Sequence, residues 1–214
     1  MFGWLKRIFK PLPRQCIDIS NYWLNQSISD DEGVGLMLKA KAAGYSGVIC
    51  EALYSDVCNQ QLRCAARAGL WADIYPWLSF SKSLQENQQR IKDCLIPGFS
   101  GLVWLDCEAA VPDGVDVVAF IQDMVDWCWD NNLRPAIYTR RGWWTTYMRG
   151  ITRFSNLALW DADPDGLADA NHSKLEDIIT PWQPYGGWQK RVWKQFAWNH
   201  QLAGMNVDLN VEWI

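Results

Sequence analysis

The segment Gly101-Leu102-Val103-Trp104-Leu105-Asp106-Cys107-Glu108 is an apolar run that ends in two carboxylates two residues apart. Side chains on a strand alternate between faces, so Asp106 and Glu108 point the same way. Neighbouring carboxyls raise each other's proton affinity, and apolar surroundings raise it further. Such an environment keeps one carboxyl as a proton donor beside an ionised neighbour, the equipment of a glycosidase. Taken alone, a D-x-E at a strand end also describes a solvated sheet edge or a helix cap. Asp208-Leu209-Asn210 alone is a turn signal, and Asp18-Ile19-Ser20 alone would cap the next segment. The reading depends on whether the surrounding elements bring these acids together.

Those elements alternate. Gln15–Ile19 reads as a first strand and Asp31–Ala43 as a helix closed by Gly44. Gly47–Glu51 is a second strand, followed by a helix that Ser55 caps and Gly69 ends. Leu70–Tyr75, Leu102–Asp106 and Leu133–Tyr138 are further strands, with helices over Ser81–Leu95 and Arg140–Met148. Between the last two strands, Val117, Phe120, Ile121, Met124, Val125 and Cys128 keep the spacing of one buried helical face. Leu157–Trp160, Arg191–Ala197 and Met205–Leu209 read as three more strands. The stretch from Asp161 to Gln189, with Pro164, Pro181, Pro184 and Gly186-Gly187, is loop-like. Eight strands with five clear helices predict an α/β fold, a TIM-like barrel of parallel strands whose last part is poor in helices. Reactive residues in such barrels sit at the C-terminal strand ends. Asp18, Asp106, Glu108 and Asp208 all fall near strand ends, so four acids are expected to converge on one rim.

Composition narrows the alternatives. The 214 residues suit one barrel domain. A net charge of −4 gives no electrostatic case for nucleic acid. His172 and His200 lie far apart, so neither a His-rich metal site nor any other cofactor is expected. The seven cysteines are odd in number and contain no C-x-x-C. Several sit inside apolar patterns, which favours reduced thiols and a reducing compartment, with a Cys58–Cys64 bridge as the alternative. No run reaches the roughly 18 apolar residues of a membrane span, and no secretory signal is visible.

The residues resemble, in order, the glycoside hydrolase family 25 lysozymes, the Chalaropsis-type N-acetylmuramidases. The similarity is carried by Ile17-Asp18-Ile19-Ser20, Leu105-Asp106-Cys107-Glu108 and Val207-Asp208-Leu209-Asn210. Between them fall Ala136-Ile137-Tyr138-Thr139, Leu159-Trp160-Asp161-Ala162 and Trp193-Lys194-Gln195-Phe196. The resemblance implies a flattened barrel of five β/α units followed by three strands, over residues 15–214. It implies cleavage of the β-1,4 bond between N-acetylmuramic acid and N-acetylglucosamine in peptidoglycan, as in phage endolysins. It further implies Glu108 as general acid, with Asp18, Asp106 and Asp208 as the other site carboxylates. Three segments depart from the family: Ile49-Cys50-Glu51-Ala52-Leu53-Tyr54 lacks its lysine, Tyr75-Pro76-Trp77 replaces Y-H-F, and Asp163 stands where a tyrosine is usual.

In the expected chemistry Asp106 and Asp208 stay charged, hold Glu108 protonated and stabilise the cation-like sugar. Asp18 would orient a neighbour or a water. Net retention is expected, with the acetamido group of the substrate as nucleophile. Flat aromatic faces suit pyranose rings, and the chain has 15 tryptophans. Tyr75, Trp77, Tyr138 and Trp160 are expected to line the groove with Gln195 as a polar partner. Trp104, and Trp127 or Trp129, should fill the core.

Residues 1–14 combine Phe2, Trp4, Leu5, Ile8 and Phe9 with Lys6, Arg7, Lys10 and Arg14. As a short helix this arm would be basic and amphipathic, suited to contact with a membrane surface; otherwise it is a flexible arm or packs on the barrel. Synthesis in the cytoplasm and action at the bacterial cell wall are expected, with passage to the periplasm if the protein is phage-encoded. Two other readings remain in play: a silent barrel that binds glycans on a virion or envelope, and a hydrolase of another N-acetylhexosamine polymer. The sequence leaves the oligomeric state open.

Overall fold

The structure is a computed structural model that describes residues 13–20, 28–163 and 182–212. Most of the N-terminal arm therefore lies outside the described residues. Of its end, Arg14 pairs with Glu212 and places its guanidinium 5.9 Å from the centre of the Trp193 ring.

Eight strands close a barrel in sequence order. They are β1 (Gln15–Ile19), β2 (Gly47–Glu51), β3 (Trp71–Tyr75), β4 (Leu102–Cys107), β5 (Arg134–Thr139), β6 (Leu159–Ala162), β7 (Trp193–Leu202) and β8 (Met205–Glu212). The helices are α1 (Asp30–Ala42), α2 (Ser55–Ala68), α3 (Leu84–Asp93), α4 (Val117–Asp130) and α5 (Arg141–Met148). Local chemistry sets the helix starts. Ser29 with Glu32, and Ser83 with Glu86, form capping boxes in which each side chain bonds the other's backbone N–H. Ser55 does not cap α2: Tyr54 holds that position without a side-chain bond.

One expectation about the barrel is corrected. Strands β1 to β7 are parallel, but β8 runs antiparallel to both β7 and β1. The reason is local. Only Ala203 and Gly204 separate β7 from β8, with φ of 55° and 93°. Two residues with positive φ make a hairpin, and a hairpin joins only antiparallel strands.

Strand parity divides the side chains into two layers. Cys16, Ile49, Trp104, Ala136, Tyr138, Trp160 and Trp193 fill the barrel interior. The opposite faces pack against the helices in a second, larger core. All seven cysteines are buried free thiols, so no Cys58–Cys64 bridge forms. Trp104 is fully buried as expected, whereas Trp129 is 51% exposed and Trp127 packs against the outer core under Lys92. No helix among the described residues is long and apolar enough to cross a membrane.

Candidate active site

Inward parity delivers polar side chains to the barrel mouth from every strand but β6. From β1, β2 and β4 come Asp18, Glu51 and Asp106, with Glu108 one residue past the end of β4. From β3 and β5 come Tyr75 and Tyr138, and from β7 and β8 Gln195, Asp208 and Asn210. Asp18 and Asp208 stand directly opposite each other in the β1–β8 pairing. Asp208 is not at the end of β8. It lies in the first half of that strand, and reaches the shared rim because β8 runs the other way.

Gln195 joins the acids. Its Nε2 donates to Asp18 Oδ2 (3.0 Å) and Asp208 Oδ2 (3.3 Å), while its Oε1 accepts from Tyr138 O–H (2.8 Å) and Trp198 Nε1 (3.0 Å). An indole N–H can only donate, which fixes the amide's orientation. Asn210 Nδ2 donates to Asp18 Oδ2 (2.8 Å), and Asn210 Oδ1 accepts from Trp160 Nε1 (2.8 Å). The backbone N–H of Asn199 donates to Asp208 Oδ1 at 2.8 Å.

The Glu108 segment is held from both sides. Thr139 Oγ1 donates to Cys107 O and Trp143 Nε1 to Ala109 O, each at 2.7 Å. Beneath it, β3 continues far enough for Asp106 N to donate to Pro76 O and Leu78 N to Asp106 O, both at 3.1 Å. That places Trp77, which is 39% exposed, beside the end of β4.

Of the expected groove residues, Tyr75 lines a cleft of about 360 Å³ with Asp18, Ser20, Asn199, Asn206 and Asp208. Trp77 stands open at the rim. Tyr138 and Gln195 are buried at the site floor rather than forming an open wall: Gln195 bonds the carboxylates and Tyr138 holds Gln195. Trp160 is corrected outright. It is fully buried below the floor, edge-on to Trp104 and against Tyr138, because its strand position points into the barrel. A second pocket of about 480 Å³ lies on the β5 side, formed by Glu108, Arg140 and α5. Another cavity, of about 690 Å³, opens at the opposite end of the barrel around Trp71, Asp73 and Trp193, away from the acids.

Burial raises the proton affinity of Asp18, Asp106, Glu108 and Asp208 alike. Asp106 is the deepest acid at 2% exposure, and its Oδ1 has no hydrogen-bond partner. Burial, followed by the charges of Glu108, Glu51 and Asp18, pushes its carboxyl well above the usual range. Burial thus favours the protonated form of Asp106, and the charge of Glu108 acts in the same direction. Glu108 is only partly buried; burial raises it, and the Arg140 guanidinium draws it back down. Burial raises Asp208 to about 6, opposed by the N–H of Asn199 and assisted by Glu108. Asp18 is pushed up by burial and by facing Asp208, against the bonds from Asn210 and Gln195. Acids crowded in this way titrate as a set rather than singly. Among the described residues, no group of three or more His, Cys, Asp or Glu is arranged to hold a metal ion.

Sequence reasoning missed Glu51, Asn210 and Arg140. The strand-end rule would have found Glu51, and the two-residue period from Asp208 would have found Asn210. Nothing local marks Arg140.

A family model described as Lysozyme-like protein 1 matches residues 40–196. "Probable GH family 25 lysozyme 4" of Dictyostelium discoideum is 26% identical over 155 residues, covering 70% of this chain and 68% of that one. Counting factor 45-1 of the same organism is also 26% identical, over 80% of this chain, and this chain spans half its length. Among solved structures, a family 25 glycosyl hydrolase from Bacillus anthracis superposes with a TM-score of 0.68 at 13% identity, over 95% of this chain and 90% of that one. The Clostridium perfringens spore cortex lytic enzyme SleM gives the same TM-score at 19% identity, over 95% of this chain and 68% of that one. At such identities the two structures speak for the fold.

Proposed function

The chain belongs to the glycoside hydrolase family 25 lysozymes, and from that membership we propose that it cleaves the β-1,4 bond between N-acetylmuramic acid and N-acetylglucosamine, with Glu108 as proton donor. One observation carries the assignment. Glu108 is a partly exposed acid of the ring, whereas Asp18 and Asp106 lie deeper and Asp208 is held by Gln195 and the N–H of Asn199. It combines access from the mouth with a raised proton affinity and a backbone pinned on both sides.

In this reading Glu108 gives its proton to the leaving oxygen as the C–O bond breaks. Asp208 and Asp18, sharing charge through Gln195, face the cation-like sugar. Asp106 accepts the N–H of the substrate's acetamido group through its unpartnered Oδ1, orienting the carbonyl oxygen for attack on the anomeric carbon. Water then opens the resulting ring with Glu108 as base, and the configuration is retained. The buried free thiols support assembly in a reducing compartment before action at the wall.

The test is Glu108→Gln, assayed for turbidity loss in a peptidoglycan suspension and for new reducing ends by mass spectrometry. The variant should fold normally and lyse nothing. Reducing-end muramic acid from the wild type supports the bond assignment, and reducing-end glucosamine or activity on chitin instead would replace it. Full activity of the variant would remove Glu108 from the mechanism. Binding of walls with no product from the wild type would favour a silent glycan-binding barrel.

A further inference from the structure

The pocket on the β5 side of Glu108 carries chemistry that a neutral glycan does not call for. It measures about 480 Å³ and is walled by Trp143, Thr146 and Tyr147, floored by Gly142, and edged by the Arg140 guanidinium. The two rings stand 5.1 Å apart and form an apolar wall. Across the mouth, the cleft holding Asp18 and Asp208 is lined by those two carboxylates with Ser20, Tyr75, Asn199 and Asn206, and by no cation. Charge is thus polarised across Glu108: cationic on one side, acidic on the other.

Arg140 is also unspent. Arg14, Arg63, Arg67 and Arg191 each pair with a carboxylate. The side chain of Arg140, exposed at the N-cap of α5, makes no ion pair among the described residues. Its field reaches the site, because it draws the proton affinity of Glu108 down.

We propose that this pocket binds a carboxylate-bearing arm of the substrate, with Arg140 as the ion-pairing group, and so sets which way round a glycan strand lies across Glu108. The inference rests on the muramidase reading. In a polymer alternating N-acetylglucosamine with N-acetylmuramic acid, only the latter carries a lactyl ether, ending in a carboxylate or in a stem peptide with its own carboxylates. A planar guanidinium matches a carboxylate in two-pronged fashion. The Asp18–Asp208 side repels the same group, so attraction and repulsion select one orientation together.

The test uses the inactive Glu108→Gln protein and calorimetric binding of three ligands. These are a tetrasaccharide of N-acetylglucosamine, a peptide-free muramyl tetrasaccharide, and the same tetrasaccharide with stem peptides. Adding Arg140→Gln should weaken at least one acidic ligand roughly tenfold and leave the neutral one within about twofold. Arg140→Lys should recover part of the loss. Gly142→Asp places a new carboxylate where a Cβ meets nothing within 4 Å, in the first turn of a helix that tolerates it, and should also weaken the acidic ligands selectively. Whichever acidic ligand loses more identifies the arm, lactyl or peptide. Equal losses on all three ligands, or none, would overturn the inference and leave the muramidase reading standing. If the Glu108→Gln parent binds none of them, the muramidase reading itself fails.

Discussion

Replacing Asp208 by asparagine removes a charge that the barrel mouth solvates poorly, and should make the protein more stable while making it less active. Burial lifts this carboxyl from 3.8 to about 6. At about 1.4 kcal/mol per pH unit, ionised Asp208 costs the folded state about 3 kcal/mol. The sign follows from linkage. Below pH 3.8 the group is protonated in both folded and unfolded chains and the cost vanishes. As pH rises the unfolded chain ionises first, so stability falls until about pH 6 and then levels off. Asparagine keeps an oxygen for the N–H of Asn199, but it turns an N–H towards Gln195 Nε2, which now donates to Asp208 at 3.3 Å. That donor conflict offsets about 1 kcal/mol, and partial exposure screens some of the rest. The net gain should be about 1–2 kcal/mol at pH 7.5. For a chain of this size it is a rise of roughly 3–6 °C in Tm, with no gain at pH 3.5. Thermal unfolding of both proteins by circular dichroism at the two pH values measures it, and lysis assays should show at least a hundredfold loss of rate. A stability difference that does not grow between pH 3.5 and 7.5 would refute the idea that burial opposes this charge.

Three other changes probe separate parts of the site. Arg140→Gln removes the cation that lowers Glu108, so the high-pH limb of the rate profile, where the acid loses its proton, should move to higher pH; a shift downwards would contradict the geometry. Trp160→Phe leaves Asn210 Oδ1 without its buried donor and frees the amide that fixes Asp18; kcat should fall while KM changes little, and stability should drop by about 1–3 kcal/mol in urea unfolding. Gly101→Ala would put a Cβ 2.2 Å from the Ala72 carbonyl oxygen at the β3–β4 contact; a loss of about 3 kcal/mol or failure to fold is expected, and a tolerated alanine would mean the strands sit further apart.

Much of the frame was legible because it is local. Apolar runs of strand length and the helical spacing from Val117 to Cys128 come from backbone geometry, and the elements fall within a few residues of their expected bounds. The capping boxes at Ser29 and Ser83 were equally legible and went unread, which is why the start of α3 was expected three residues early. The direction of β8 was hidden by a short estimate of β7. That strand runs past Ala197 through a register irregularity to Leu202, leaving a two-residue hairpin where a longer connection was expected.

The site divides in the same way. Residue types and the two-residue period determined, from sequence alone, that Asp18, Asp106 and Asp208 face the barrel interior and that Glu108 follows on the same side. They also placed Tyr75 and Trp77 at the rim, but could not separate them from Trp160, which shares their chemistry and parity yet lies one layer deeper. Only the tertiary structure decided how the surroundings of these carboxyls differ. Asp106 and Glu108 differ by one methylene in sequence terms. In the fold, one is sealed among three other acids and the other stands at the mouth within the field of Arg140. Proton affinity is set by lost water and by charges across the barrel, brought together from strands far apart in the chain. No local pattern encodes those distances, so the acids could be read from the sequence and their differing surroundings only from the fold.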